Sequence, residues 1–269
     1  MQLARVAIAE LKARYAAGAL DATSDVLRSL RGDRREGARA LAETLAGRAR
    51  RETAERNRLS GLFALERELA SLGHTRIAGV DEVGMGPLAG PVVAAAVILP
   101  PDAWLPGLND SKRLSRIARE RIAREIEHVA VDIALGSVEP DEIDRVNIYQ
   151  AGLLAMRRAV EALAAPPDAL VVDARRVPGV ICRQESLVGG DSRVAAIAAA
   201  SIVAKVWRDA RMAELDRHHP GYGFARHAGY GTPEHLAALA ALGPSAIHRR
   251  SFEPVRACAA RFGDTCRTS

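Results

Sequence analysis

The stretch IAGVDEVGMGPLAGPVVAAAVIL, residues 77–99, decides the fold. An apolar run climbs to two adjacent carboxylates, Asp81 and Glu82, breaks at Gly84, Gly86 and Pro87, and resumes from Val92 to Leu99. Runs of Val, Ile and Ala bounded by Gly and Pro predict two buried strands joined by a tight crossing. The two acids are the anomaly, because an ionised carboxylate in a core is costly unless a counter-charge or a metal meets it. Neighbours on a regular strand also point to opposite faces, so both acids reach one site only if the glycines bend the chain. A dinucleotide-binding loop does not fit: the spacing is G-x-G-x-x-x-G, and a strand follows where that fingerprint needs a helix.

Working outward, the chain has 269 residues, 48% apolar and 26% charged, enough for a sizeable core plus an extension. No stretch approaches the roughly 20 apolar residues of a membrane span, and the N-terminus has no apolar signal region, so a cytoplasmic protein is expected. Cys182, Cys258 and Cys266 form no metal-ligand spacing and read as reduced thiols, which argues against zinc. The net charge of +5 favours a polyanionic partner. Residues 1–74 hold most of that excess, and only three basic residues of the chain, Lys12, Lys112 and Lys205, are Lys rather than Arg.

Residues 1–73 read as a basic helical extension, with Ser24 as a candidate helix cap and Leu62, Leu65, Leu69 and Leu72 at helical spacing. The middle of that segment, about 34–58, reads as a solvated helix or a weakly ordered one. Residues 74–269 read as an α/β domain, with a helical part from about 215. Ser115 can cap a helix whose Ile117, Ile122 and Ile126 face the core. Val129 to Val138 reads as a third strand, and Ala169-Leu-Val-Val-Asp173 as a parallel strand ending on an acid, where open α/β sheets place ligands. Asp110 and Ser111 read as turn residues, and Asp191 as a helix cap or a site residue.

Three separate segments thus deliver a carboxylate to a strand end or helix start: Asp81 with Glu82, Asp173, and Asp191. Oxygen ligands without Cys or His select Mg2+ or Mn2+. Two such ions about 4 Å apart would activate water and stabilise the leaving oxygen of a phosphodiester. The expectation is that these acids converge tightly enough to share ions.

Gly79-Val-Asp-Glu-Val-Gly84 with Gly86-Pro-Leu-Ala-Gly-Pro91, Asn109-Asp-Ser-Lys112, Val171-Val-Asp173, Gly190-Asp-Ser-Arg-Val194, Ala198-Ala-Ala-Ser-Ile202 with Ala204-Lys-Val206, and His248-Arg-Arg-Ser-Phe252 together resemble ribonuclease HII. The resemblance runs from about 77 to 255. It implies an α/β fold of the ribonuclease H-like kind, a mixed five-stranded sheet flanked by helices. It implies that Asp81, Glu82, Asp173 and Asp191 are catalytic and hold Mn2+ or Mg2+. It also implies that the backbone of Gly84, Met85 and Gly86 reads the 2′-hydroxyl, that Tyr230 packs on the sugar, and that Lys112, Arg249 and Arg250 contact substrate. The activity implied is cleavage of RNA in RNA/DNA hybrids and at single ribonucleotides in duplex DNA, leaving 3′-hydroxyl and 5′-phosphate, by a monomer with no membrane partner. The alternative is a hybrid-binding protein with the same fold and weak or lost cleavage.

The departures from that pattern run in one direction. Met85 stands where the family usually has Arg or Lys, Gly189 and Ala228 where it has Lys, and Asp173-Ala-Arg replaces the usual Asp-Gly-Asn. Fewer cations near phosphates imply weaker and less salt-resistant binding. The Arg-rich N-terminal segment, or Arg175 and Arg176, is the candidate compensation.

Overall fold

The computed structural model describes residues 3–18 and 20–263; Cys266 lies outside them. The chain forms two compact units, residues 1–58 and 59–269. That division falls earlier than the expected boundary at 73, because Leu59, Leu62, Phe63 and Leu69 pack into the cores of the second unit.

The first unit holds α1 (Ile8–Ala16), α2 (Ser24–Arg31) and most of α3 (Glu36–Leu62). Its core is Leu3, Leu11, Leu20, Leu30, Leu41 and Leu45 with small alanines between. Thr23, not Ser24, caps α2, accepting from the Val26 amide. Of the two readings of 34–58, a solvated helix or a weakly ordered stretch, the structure has the helix, continuous from Glu36, with Leu41 and Leu45 buried. Many of the arginines here are engaged locally: Arg14 with Glu10, Arg28 with Asp25, Arg31 with Glu43, Arg35 with Asp33.

In the second unit, α4 (Ala64–Ser71) leads into β1 (Ile77–Val83) and β2 (Val92–Ile98), followed by α5 (Arg116–Val129), β3 (Asp132–Val138), α6 (Pro140–Val146) and α7 (Ile148–Glu161). Then come β4 (Ala169–Asp173), β5 (Arg183–Leu187), α8 (Ala195–His218), α9 (Phe224–His227), α10 (Pro233–Leu242) and α11 (Glu253–Arg261). The sheet order is β3-β2-β1-β4-β5, antiparallel across β3, β2 and β1 and parallel across β1, β4 and β5. Each face is buried by its own helices, which is why β1, β2 and β4 read as near-continuous apolar runs. Val93, Ala95 and Val97 pack with α5 and α8; Val80, Ala94 and Val172 pack with α7 on the other side.

Ser115 caps α5 as expected, accepting from Ala118 N, and Ile122 and Ile126 are buried. Ile117 is not; it lies one residue after the first helical position and points to solvent. Gly79 lets α8 meet β1 without an intervening side chain, since a Cβ there would fall 2.1 Å from the Ala196 carbonyl carbon. Helix α8 has no side-chain cap of its own at Val194. Glu66 of α4 supplies one across space, its Oε1 accepting from Ala196 N at 2.9 Å.

Residues 59–72 are therefore part of the second unit. Phe63→Ala should cost about 3–5 kcal/mol, read as a lowered denaturant midpoint. A chain beginning at Leu59 should melt cooperatively where one beginning at Gly73 should not, and equal melting of the two would contradict this packing.

Candidate active site

At the carboxyl ends of the central strands, β1 and β4 run in parallel with Val80 opposite Val172. One step further lie Asp81 and Asp173. A tight turn at Gly190–Ser192 then delivers Asp191 before α8, and the Gly190 amide donates to Asp173 Oδ1 at 2.8 Å. Asp191 caps no helix, since the cap position of α8 is Val194, so the capping reading fails.

Asp81 is buried, and its Oδ1 accepts from the Glu82 amide at 2.8 Å. Desolvation pushes its pKa well up, reinforced by Glu82, Asp173 and Asp191, while a hydrogen bond with Ser201 of α8 works the other way. Ser201 Oγ lies 2.9 Å from Ser111 Oγ, so the Asn109–Lys112 motif braces the site from behind. Desolvation likewise raises Glu82, which Arg175 opposes, and Asp191, where Asp110 adds and Lys112 opposes. For Lys112, desolvation pulls downward but the attraction of Asp191, Asp110 and Asp81 wins, and its pKa rises.

The acids are neighbours without being a finished cage. Among the described residues no three His, Cys, Asp or Glu side chains stand close enough to hold a metal ion. This corrects the expected tight convergence, and the strand explains it. Pairing of β1 with β2 stays regular through Val83 opposite Val93. The glycines come too late to bend it, so Asp81 faces the α8 side and Glu82 the α7 side. Two cations sit among the acids: Lys112 Nζ is 3.4 Å from Asp191 Oδ2, and an Arg175 guanidinium nitrogen is 3.4 Å from Glu82 Oε1. The donor set itself fits a hard divalent ion, being all oxygen, with four carboxylates facing two nearby cations.

Beside the acids runs the loop Gly84–Pro91. Gly84 has φ of +90°, and a Cβ there would strike Arg208 Nε at 2.3 Å. Two buried arginines hold this loop by its carbonyls. Arg249 donates to Gly84, Met85 and Gly90 carbonyls, and Arg208 to those of Pro91, Ala89 and Ala228. The expected contact of Arg249 with substrate is thus corrected: the side chain is fully enclosed and its donors are spent on backbone. Burial, with Arg208 close by, pulls its pKa down to about 9.

Arg208 carried no sequence motif. Its signal was the stripe Ser201, Ala204, Arg208, Met212, Leu215 at three- and four-residue spacing, all buried on α8. Tyr230 stands beside Gly86, half exposed, with Lys205 Nζ 6.0 Å from its ring. Arg250 is half-buried, its amide donating to Asp144. Lys112 is open to solvent.

A ribonuclease H-like sheet with acids at the ends of its central strands defines a nuclease of that superfamily. The sequence model of ribonuclease HII matches residues 78–255. A ribonuclease HII of Myxococcus xanthus is 52% identical over 256 residues, covering 95% of this chain and 87% of the relative. The ribonuclease H2 of Pyrococcus horikoshii superposes with a TM-score of 0.61 at 25% identity, over 70% of this chain and 99% of that one. Bst-RNase HIII in complex with Mn2+ shares the fold at 24% identity and a TM-score of 0.53, over 71% of each chain. The chain belongs to the ribonuclease HII family, and its function is that of the family, endonucleolytic hydrolysis of RNA in RNA/DNA hybrids. No helix among the described residues is long and apolar enough to cross a membrane.

Two measurements follow from this geometry. A carboxyl whose folded pKa is raised stabilises the fold below its unfolded pKa and loses that contribution as pH rises through the folded value. In chelator, Asp81→Asn should therefore melt higher than the unaltered protein at pH 7.5, with the gap narrowing towards pH 4; a gap that widens on acidification would contradict it. Arg249→Lys lacks the planar fork and should fail to replace Arg249. A loss of about 2–4 kcal/mol, read by chemical denaturation, reflects carbonyls left unpaired.

Proposed function

We propose that Asp81, Glu82, Asp173 and Asp191 hold Mn2+ or Mg2+ beside the scissile phosphate, and that the chain also cuts at single ribonucleotides embedded in duplex DNA. The observation that carries this reading is the buried Asp81 at the end of the central strand, one step past the Val80–Val172 pair beyond which Asp173 ends the parallel neighbour, with the Gly190 amide bonded to Asp173 next to Asp191. A site that keeps unneutralised carboxylates there is built to receive positive charge. Bound divalent ions would supply an activated water and neutralise the leaving oxygen. The Mn2+ seen in Bst-RNase HIII supports that choice of ion.

The chain's own residues do the rest. With the carbonyls of Gly84 and Met85 turned to Arg249, the amides of Gly84, Met85 and Gly86 are left to read a 2′-hydroxyl. Tyr230, beside Gly86, packs on the adjoining sugar and so fixes the ribose against the loop. Lys112 and Arg250 face the phosphates, and Lys112 doubles as the counter-charge of Asp191 when no ion is bound. The first unit, residues 1–58, adds affinity for the duplex, and the enzyme works as a cytoplasmic monomer.

The test is a duplex DNA bearing one ribonucleotide, incubated with Mn2+, Mg2+ or chelator, with the cut mapped at nucleotide resolution. Cleavage should need the ion and leave a 3′-hydroxyl and a 5′-phosphate, and Asp81→Asn should lose at least about a hundredfold in kcat. Undiminished cutting by Asp81→Asn or in chelator would remove the four acids from the chemistry.

A further inference from the structure

Arg175 is placed unlike any other cation of the site. It follows Ala174, a non-glycine residue at φ +52°, a strained conformation that turns the chain sharply after β4. The turn brings the guanidinium over the α7 side of the sheet, where one nitrogen stands 3.4 Å from Glu82 Oε1 and the group lies 5.2 Å from the centre of the Tyr149 ring. Beneath it is Gly152: a Cβ there would meet Arg175 Nη1 at 2.7 Å and Met85 Sδ at 3.0 Å. Arg175 and the loop residue Met85 therefore share one small floor on α7. The side chain retains 22% of its exposure, so its outer edge reaches solvent beside the glycine loop. Its inner nitrogen Nη1 is buried and has no hydrogen-bond partner among the described residues.

An orphaned buried donor on a charged group is costly and calls for an explanation, and an acceptor supplied in another state is one. The pairing with Glu82 is loose at 3.4 Å, and Glu82 is one of the acids assigned above to the divalent ion. An ion on Glu82 takes up its negative charge and repels a guanidinium 3.4 Å away, so the loose pair weakens once the ion is bound. A guanidinium released there lies next to the loop where a phosphate chain must pass, and its planar fork matches two phosphate oxygens.

We infer that Arg175 is a cation with two posts: it neutralises Glu82 while the site lacks a divalent ion, and it binds a backbone phosphate of the nucleic acid once the ion takes Glu82. The inference rests on the assignment of Glu82 to metal binding. It makes Arg175 a competitor for the ion and a helper for the duplex, two effects of opposite sign that a purely structural residue does not produce.

The experiment uses the full-length protein and two readouts without turnover. Mn2+ binding is titrated calorimetrically without nucleic acid. Binding of an RNA/DNA hybrid is followed by fluorescence anisotropy in Ca2+ over a series of KCl concentrations, with the RNA strand checked on a gel. Arg175→Ala should bind Mn2+ several-fold more tightly and the hybrid about tenfold more weakly. Its slope of log affinity against log salt should fall by about 0.7–0.9, the signature of one lost phosphate contact. Arg175→Lys should keep the slope and recover part of the affinity. Met85→Arg added to Arg175→Ala should restore the slope from the other side of the shared floor. Unchanged or weaker Mn2+ binding by Arg175→Ala, or an unchanged slope, would overturn the inference. Absence of Mn2+ binding by the unaltered protein would overturn the metal assignment and this inference with it. If Arg175→Ala melts early, the Lys variant carries the comparison: loss of the slope there counts against the second post.

Discussion

Two buried guanidinium groups, with no carboxylate paired to them among the described residues, hold the acidic end of the sheet together. Arg208 comes from the middle of α8 and Arg249 from the segment before α11, and both close on backbone carbonyls of Gly84–Pro91. A buried cation normally demands a buried anion. Here the partial charges of oriented peptide groups do that work, which leaves the carboxylates nearby uncompensated. The loop in turn carries the isolated bridge between Ala89 and His248, and Leu88 exchanges backbone hydrogen bonds with Gly229 and Arg249. The C-terminal helices are thereby tied to the strand that bears Asp81.

The division of charge follows from that arrangement. Of the positive groups nearby, Arg208 and Arg249 are spent on carbonyls, and among the described residues only Lys112 and Arg175 approach the acids, each at 3.4 Å from one of them. The fold therefore tolerates repulsion among Asp81, Glu82, Asp173 and Asp191, and activity is obtained at the expense of stability. The polar support behind Asp81, Ser201 with Ser111, is neutral, so it orients the carboxylate without cancelling it.

Much of this was legible in the amino-acid sequence. The apolar runs at 77–83 and 92–98 are β1 and β2 as read, and Asp173 ends a parallel strand. The four acids do gather at one end of the sheet. Their failure to form a compact cage was not legible, because it depends on whether β1 bends before or after Glu82, which is decided by pairing with β2. Ile117 and Ser24 were misread for a simpler reason: one residue of phase separates a buried face or a cap from solvent. Arg249 was misread because a basic residue in a motif looks like a phosphate ligand whether it points outward or inward. The boundary at 58 was hidden because α3 runs through it without a break in helical pattern.

The seam between Gly79 and Ala196 has a consequence for metal choice. With no side chain between the two backbones, strand and helix cannot slide apart or together to suit different ions. Any adjustment of oxygen spacing falls to side-chain torsions of the acids alone, which are soft. A rigid frame with pliant carboxylate arms would accommodate ionic radii of unequal size, which suits either ion of the proposed pair.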